Sequence, residues 1–209
     1  MIFKCKSVFF ILFVLVLTSC KSTSEIISFR ENTCNFSSAE QTKIWSKAFD
    51  EPFRVLSIDN PTDLKILTNV SQKVNFQKDN KDLKHFTNRL YSTVIDSSSL
   101  GVGIAAPQVG ILKQIIWVQR FDKDGEPFEL YFNPKIIQYS KKKQTFREGC
   151  LSVPDRMDVL ETRSYAILIE YDTIDNTHHI EMVEDFTAVI FQHEIDHLNG
   201  IIYIDRIKK

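Results

Sequence analysis

The sequence is short of the features that would mark several whole classes of protein. Its 209 residues contain four cysteines, at positions 5, 20, 34 and 150, so no disulfide framework is implied. A Cys34–Cys150 bridge is the one link a mature chain could form outside the cytoplasm. Neither sign of charge dominates: 26 Lys and Arg stand against 27 Asp and Glu, a balance that gives no electrostatic reason to expect nucleic acid as a partner. The basic run Lys141–Lys143 reads as a solvated turn or strand end. The longest apolar run, Val8 to Leu17, falls well short of the roughly twenty residues that span a bilayer core. No internal repeat is visible. What remains is an ordinary globular composition, 43% hydrophobic and 25% charged, with chain enough for one sizeable core.

The short apolar run follows Lys4 and Lys6, which is the layout of a secretory signal. It leads into "LTSC", Leu17-Thr18-Ser19-Cys20: an aliphatic residue, two small residues and a cysteine. This resembles the lipobox of bacterial lipoproteins, whose signal is cut before a cysteine that then carries lipid. The resemblance implies a signal over 1–19, a mature chain beginning at Cys20, and a lipid-anchored tether and extension over 20–51. It also implies a place in the bacterial cell envelope, held to a membrane on its non-cytoplasmic side.

From Pro52 to Lys209 the chain reads as one domain, preceded by a short helical stretch around Ala39–Phe49. Leu83, Phe86, Leu90 and Val94 recur at helical spacing, which predicts an amphipathic helix over 82–96. Strand-like runs at 115–120 and 128–132 flank "DKDGEP", and runs at 165–172 and 178–184 flank "TIDNT", so two hairpins are expected. A last helix over 185–198 places Phe186, Val189, Ile190, His193 and His197 on one face, and Asn199-Gly200 stops it. The fold class is α+β: antiparallel strands packed around a C-terminal helix.

That helix carries the chemistry. His193 and His197, one turn apart with Glu194 beside the first, have the H-E-x-x-H spacing of a helical metal site. A third ligand must come from elsewhere, because Asp205 is the only acidic residue after His197 and no His or Cys follows it. His85, His178 and His179 read as surface residues. Cys150, in "REGCLSVP", is the better candidate, since a thiolate is the strongest metal ligand in the chain. One Cys and two His leave a position open for water, the mark of a catalytic rather than a structural ion. "GVGIAAPQ" (101–108) lacks the Lys and Ser/Thr of a phosphate loop and reads as an extended segment whose small residues admit another backbone, ending in the amide of Gln108.

Together, "GVGIAAPQ", "EGCLS" and "QHEIDHLNG", in this order, resemble the three signature segments of bacterial peptide deformylases, over about Pro52 to Ile207. The resemblance implies the compact α+β deformylase fold and hydrolysis of the N-formyl group from formyl-methionyl peptides, releasing formate. It implies metal ligands Cys150, His193 and His197, acid/base chemistry at Glu194, and oxyanion donors in the Gln108 side chain and the Leu151 N–H. The substrate would add as a strand at Gly103. Val102, Ile104, Phe146, Phe186, Val189 and Ile190 would surround its methionine, with core packing the competing role for each and the expected one for about half. One divalent ion per chain is expected, Fe2+ by family habit, with Zn2+, Ni2+ or Co2+ able to occupy the site. Glu148 resembles a family residue paired with an Arg, here Arg163, although the intervening segment is one residue longer than usual. A monomer is expected. A catalytically silent, formyl-peptide-binding lipoprotein is the alternative, and Glu194 and Gln108, which mere binding does not require, argue against it. An endopeptidase is disfavoured by the missing downstream ligand.

Overall fold

The structure, a computed structural model, describes residues 36–75, 79–96 and 101–207, which belong to one compact unit. The signal, Cys20, Cys34 and the first part of the tether lie outside the described residues.

Among the described residues, four α-helices and seven strands form the framework of the unit. They are α1 (Ser38–Ile44), α2 (Pro61–Leu67), α3 (Lys81–Val94), β1 (Gly103–Ala105), β2 (Ile115–Gln119), β3 (Phe128–Tyr139), β4 (Lys143–Cys150), β5 (Val153–Ser164), β6 (Ala166–Asp172), β7 (His178–Glu184) and α4 (Asp185–Leu198). Five strands form an antiparallel sheet in the order β1-β2-β3-β6-β7, and β4 and β5 form a separate antiparallel pair. Both expected hairpins and both long helices form within a residue or two of their predicted limits, except that β3 runs on to Tyr139. Among the described residues no helix is long and apolar enough to cross a membrane.

The sheet separates two layers of core. On one side Leu83, Phe86, Leu90 and Val94 of α3 pack with Ile104, Ile115 and Phe132. On the other, Ala188, Ile190, Phe191, Ile195 and Leu198 of α4 pack with Ile116, Val118, Ile167 and Ile169. Alternation along the strands supplies both faces, because successive side chains point to opposite sides. α4 is buried on nearly every side from Thr187 to Leu198, so its polar residues need partners inside the protein. Gln192 shows how one is found: its amide accepts from Ser164 N at 2.9 Å and donates to Ser164 O at 2.9 Å, pinning the end of β5 to the helix. α4 stops at Asn199, and Gly200 follows at φ 70°, where a Cβ would lie 2.5 Å from the Thr68 carbonyl oxygen.

The segment before Pro52 is more than a tether. From Phe36 onward it packs on α3: Phe36 is 6% exposed and Ile44 fully buried. Arg89 of α3, itself 2% exposed, donates to the carbonyl oxygens of Lys43, Ile44, Glu51 and Pro52 and lies over the Phe53 ring. Gln41 and Trp45 both donate to Asp82 at 2.8 Å.

Candidate active site

A groove of about 800 Å3 runs between β1 and the β4–β5 pair, with α4 as its floor. β1 is the edge strand of the large sheet, so its outer backbone edge faces the groove. Gly103 is needed there because Glu194 comes so close: a Cβ on residue 103 would lie 2.6 Å from Glu194 Oε1 and 2.9 Å from Ile190 Cγ2. After β1 a turn of 3-10 helix over Ala106–Val109 swings Gln108 back towards the groove. Its Oε1 accepts from Ala105 N at 2.8 Å, leaving its Nε2 near Cys150 Sγ (3.5 Å) and Ser152 Oγ (3.4 Å).

Cys150 closes β4, and His193 and His197 rise from α4 one turn apart. Their ligand atoms all lie within 4.8 Å of one another, with Cys150 Sγ 3.2 Å from His197 Nε2. A soft thiolate with two imidazoles is a donor set that fits a divalent ion and leaves room for a further ligand. His193 Nδ1 donates to Glu148 Oε2 at 3.0 Å, a carboxylate–histidine arrangement that fixes the ring and turns its other nitrogen to the thiol. Burial would raise the Cys150 thiol, but His197 and His193 outweigh it and hold it well below the ordinary thiol range. Ser152 N also donates to the sulfur, at 3.4 Å.

The Glu148 carboxylate is held from behind. Arg163 donates to both of its oxygens at 2.7 and 2.8 Å and donates to Asp196 at 2.6 Å, while Asp196 accepts in turn from Arg206. Burial would raise Glu148, but Arg163 and His193 bring it down to about 2. The extra residue between Glu148 and Arg163 therefore does not part them; the two lie on paired strands whose register shifts between Gln144 and Phe146 and again between Gly149 and Cys150. Glu194, by contrast, is pushed up to about 7, because burial outweighs the nearby imidazoles. Its Oε2 is buried with no hydrogen-bond partner among the described residues, and the residue lines the groove.

Of the six residues expected around a methionine, Val102, Phe186, Val189 and Ile190 line the groove. Ile104 instead belongs to the core beside α3, and Phe146 stacks on Phe186, ring centroids 4.4 Å apart, without lining it. Leu151 lines the groove beside Cys150. Sequence reading overlooked the wall built by β5, from Val153 to Met157, and the Asp196–Arg206 end of the ion-pair chain. Asp196 stands inside the H-E-x-x-H motif, and a buried carboxylate there signals that a cation must reach it.

Comparisons with known proteins come to the same region. The family model described as polypeptide deformylase matches residues 53–209. A peptide deformylase of Leptospira biflexa is 34% identical over 163 residues, covering 74% of this chain and 87% of the relative. One of Caulobacter sp. is 36% identical, covering 75% and 88%. Among solved structures, a class I type b peptide deformylase of Acinetobacter baumannii with Met-Ala-Ser bound superposes with a TM-score of 0.68 at 31% identity, over 76% of this chain and 99% of that one. The peptide deformylase of Thermotoga maritima gives 0.65 at 31%, over 76% and 99%.

Proposed function

Since this chain belongs to the peptide deformylase family and has peptide deformylase activity, we propose that its groove carries out the hydrolysis with Glu194, Gln108 and Leu151 around a metal held by Cys150, His193 and His197. The observation that carries this reading is the meeting of those three ligand atoms with an unpartnered Glu194 carboxylate oxygen beside them. When bound, the metal supplies Lewis acidity towards water and the formyl oxygen. Glu194 takes a proton from the attacking water and delivers it to the leaving amine. Gln108 Nε2–H and the Leu151 N–H donate to the oxygen as its charge grows, each contributing about 3 kcal/mol in the transition state. The peptide backbone pairs with β1 at Gly103, and Val102, Phe186, Val189 and Ile190 take the methionine side chain. Formyl-methionyl peptides are the substrate class, in keeping with the Met-Ala-Ser bound by the Acinetobacter relative. Fe2+ is the native ion on this reading, a borderline metal suited to one thiolate and two imidazoles, with Zn2+, Ni2+ or Co2+ as substitutes.

The location on this reading comes from the lipobox-like stretch Leu17–Cys20. With the signal over 1–19, lipid on Cys20 and the folded unit taking in the chain from Phe36, the enzyme works as a monomer at the non-cytoplasmic face of an envelope membrane. There it meets released formyl peptides rather than nascent chains. One experiment tests both halves of the reading. The full chain is expressed in bacteria with labelled fatty acid, and the membrane fraction, kept from oxygen, is assayed for formate release from a formyl-Met tripeptide, with metal measured on the purified protein. Wild type should carry label and about one metal per chain and release formate. Glu194→Ala should keep the metal and lose the release, and Cys20→Ala should lose the label. Label on both wild type and Cys20→Ala would sink the lipoprotein reading, and metal without release would sink the assigned chemistry.

A further inference from the structure

The β4–β5 wall of the groove carries charge that the hydrolysis itself does not use. Side chains alternate along β4: Phe146 and Glu148 turn inward, to Phe186 and to Arg163 and His193, so Arg147 and Gly149 share the opposite face. Arg147 lines the groove, is exposed, and has no hydrogen-bond or ion-pair partner among the described residues. The other guanidinium of this wall, Arg156, is engaged by Asp158 at 2.7 and 3.3 Å. Across the strand pair, Arg147 stands opposite Val159 and Gly149 opposite Met157, both more than half exposed, so the free cation sits beside an apolar shelf. The wall's own acid, Asp155, which has no partner among the described residues, lies where the β5 register shifts, between Val153 opposite Cys150 and Met157 opposite Gly149. It is therefore at the metal-ligand end of the wall, and Arg147 is at the other.

Distance decides what Arg147 can meet. It is three residues from Cys150, about 10 Å at the rise of a strand. An extended peptide whose formyl carbon lies at Cys150 places its second and third residues at that distance. A guanidinium on a long flexible stem reaches a few ångströms further and suits a carboxylate better than any other group a peptide offers there.

We propose that Arg147 is a specificity-determining residue that selects peptides bearing a carboxylate on the second or third residue, counting the formyl-methionine as the first. That carboxylate is either the free C-terminus of a short peptide or an acidic side chain. The inference rests on the deformylase reading of the groove. The test uses the metal-loaded full chain and compares kcat/KM for formyl-Met-Ala-Ser with its C-terminal amide, and for formyl-Met-Ala-Glu amide with formyl-Met-Ala-Gln amide. The first pair reports a terminal carboxylate and the second a side-chain one. At low salt, wild type should favour the charged member of at least one pair by about three- to tenfold, chiefly through KM, and the ratio should shrink as salt is added. In Arg147→Gln the ratio should fall to near one, and in Arg147→Glu it should invert. Ratios near one for both pairs in wild type, or a ratio that survives in Arg147→Gln, would overturn the proposal. The wild-type ratios and their salt dependence decide the matter even if a variant folds poorly. Absence of formate from all four peptides would overturn the deformylase reading itself, and this inference with it.

Discussion

Gly103 and Glu194 meet at a distance that leaves no room for a methyl group, and much of the site's chemistry hangs on that contact. A Cβ at 2.6 Å from the carboxylate oxygen must either push Glu194 aside or bend the β1 edge away from the groove. Gly103→Ala should therefore lower formate release by about 100-fold or more while metal content stays near wild type, since none of the three ligands is touched. Activity close to wild type in that variant would show that Glu194 has slack the packing does not suggest. At this scale several residues were legible from sequence alone. Cys150 stood out as the only thiol placed among the signature residues, and His193 and His197 by their spacing. Arg163 was legible only as a candidate for Glu148, because nothing local dictates which of several arginines reaches a buried carboxylate. Gln108 could be recognised as an amide ending an extended segment. That its Oε1 is held by Ala105 N, which directs its Nε2 towards Cys150, depends on the turn that follows β1.

Among the elements, α4 and α3 announced themselves because each repeats apolar residues at helical spacing. β4 and β5 did not, for a physical reason. Their inward face carries Glu148 and Arg163 as well as Phe146 and Leu160, while their outward face exposes Met157 and Val159. A buried ion pair thus makes the inside look polar, and an exposed apolar shelf makes the outside look buried, which blurs the period of two. The short α2 was missed as well, although its start is well marked: Asn60 caps the amides of Thr62 and Asp63, and Pro61 opens the helix. Asp63 in its first turn accepts from Arg54 at 2.7 and 2.9 Å and from Ser57 N at 3.1 Å. Arg54 is the main cause of a pKa lowered from 3.8 to about 2. A carboxyl depressed in the folded state adds stability that is fully present above its unfolded value and is lost as pH falls towards the folded one. Asp63→Asn should accordingly be less stable than wild type near neutral pH, with the gap holding down to about pH 5 and narrowing as pH falls from about 4 towards about 2 in urea unfolding. A gap that stays constant over that range would show that the ion pair is not its source.

At the scale of the whole molecule, the family match begins at residue 53, yet the fold takes in the chain from Phe36. Removing 36–52 would uncover α3, losing two buried apolar side chains worth roughly 1.5–3 kcal/mol each. It would also strip Arg89 of its carbonyl acceptors. Residues 53–209 should unfold at least about 3 kcal/mol more easily than 36–209 in denaturant, and equal midpoints would refute the idea that this segment belongs to the fold. Sequence alone determined the α+β class, the two hairpins, the C-terminal helix and the three metal ligands. Each of these depends on local periodicity or on residue types with little alternative chemistry. Only the tertiary structure decided that Ile104 faces the core and Val102 the groove, that Arg163 rather than another arginine holds Glu148, and that β5 forms a groove wall. Those choices are made where segments distant in sequence meet, and no pattern within either segment encodes which neighbour it will have.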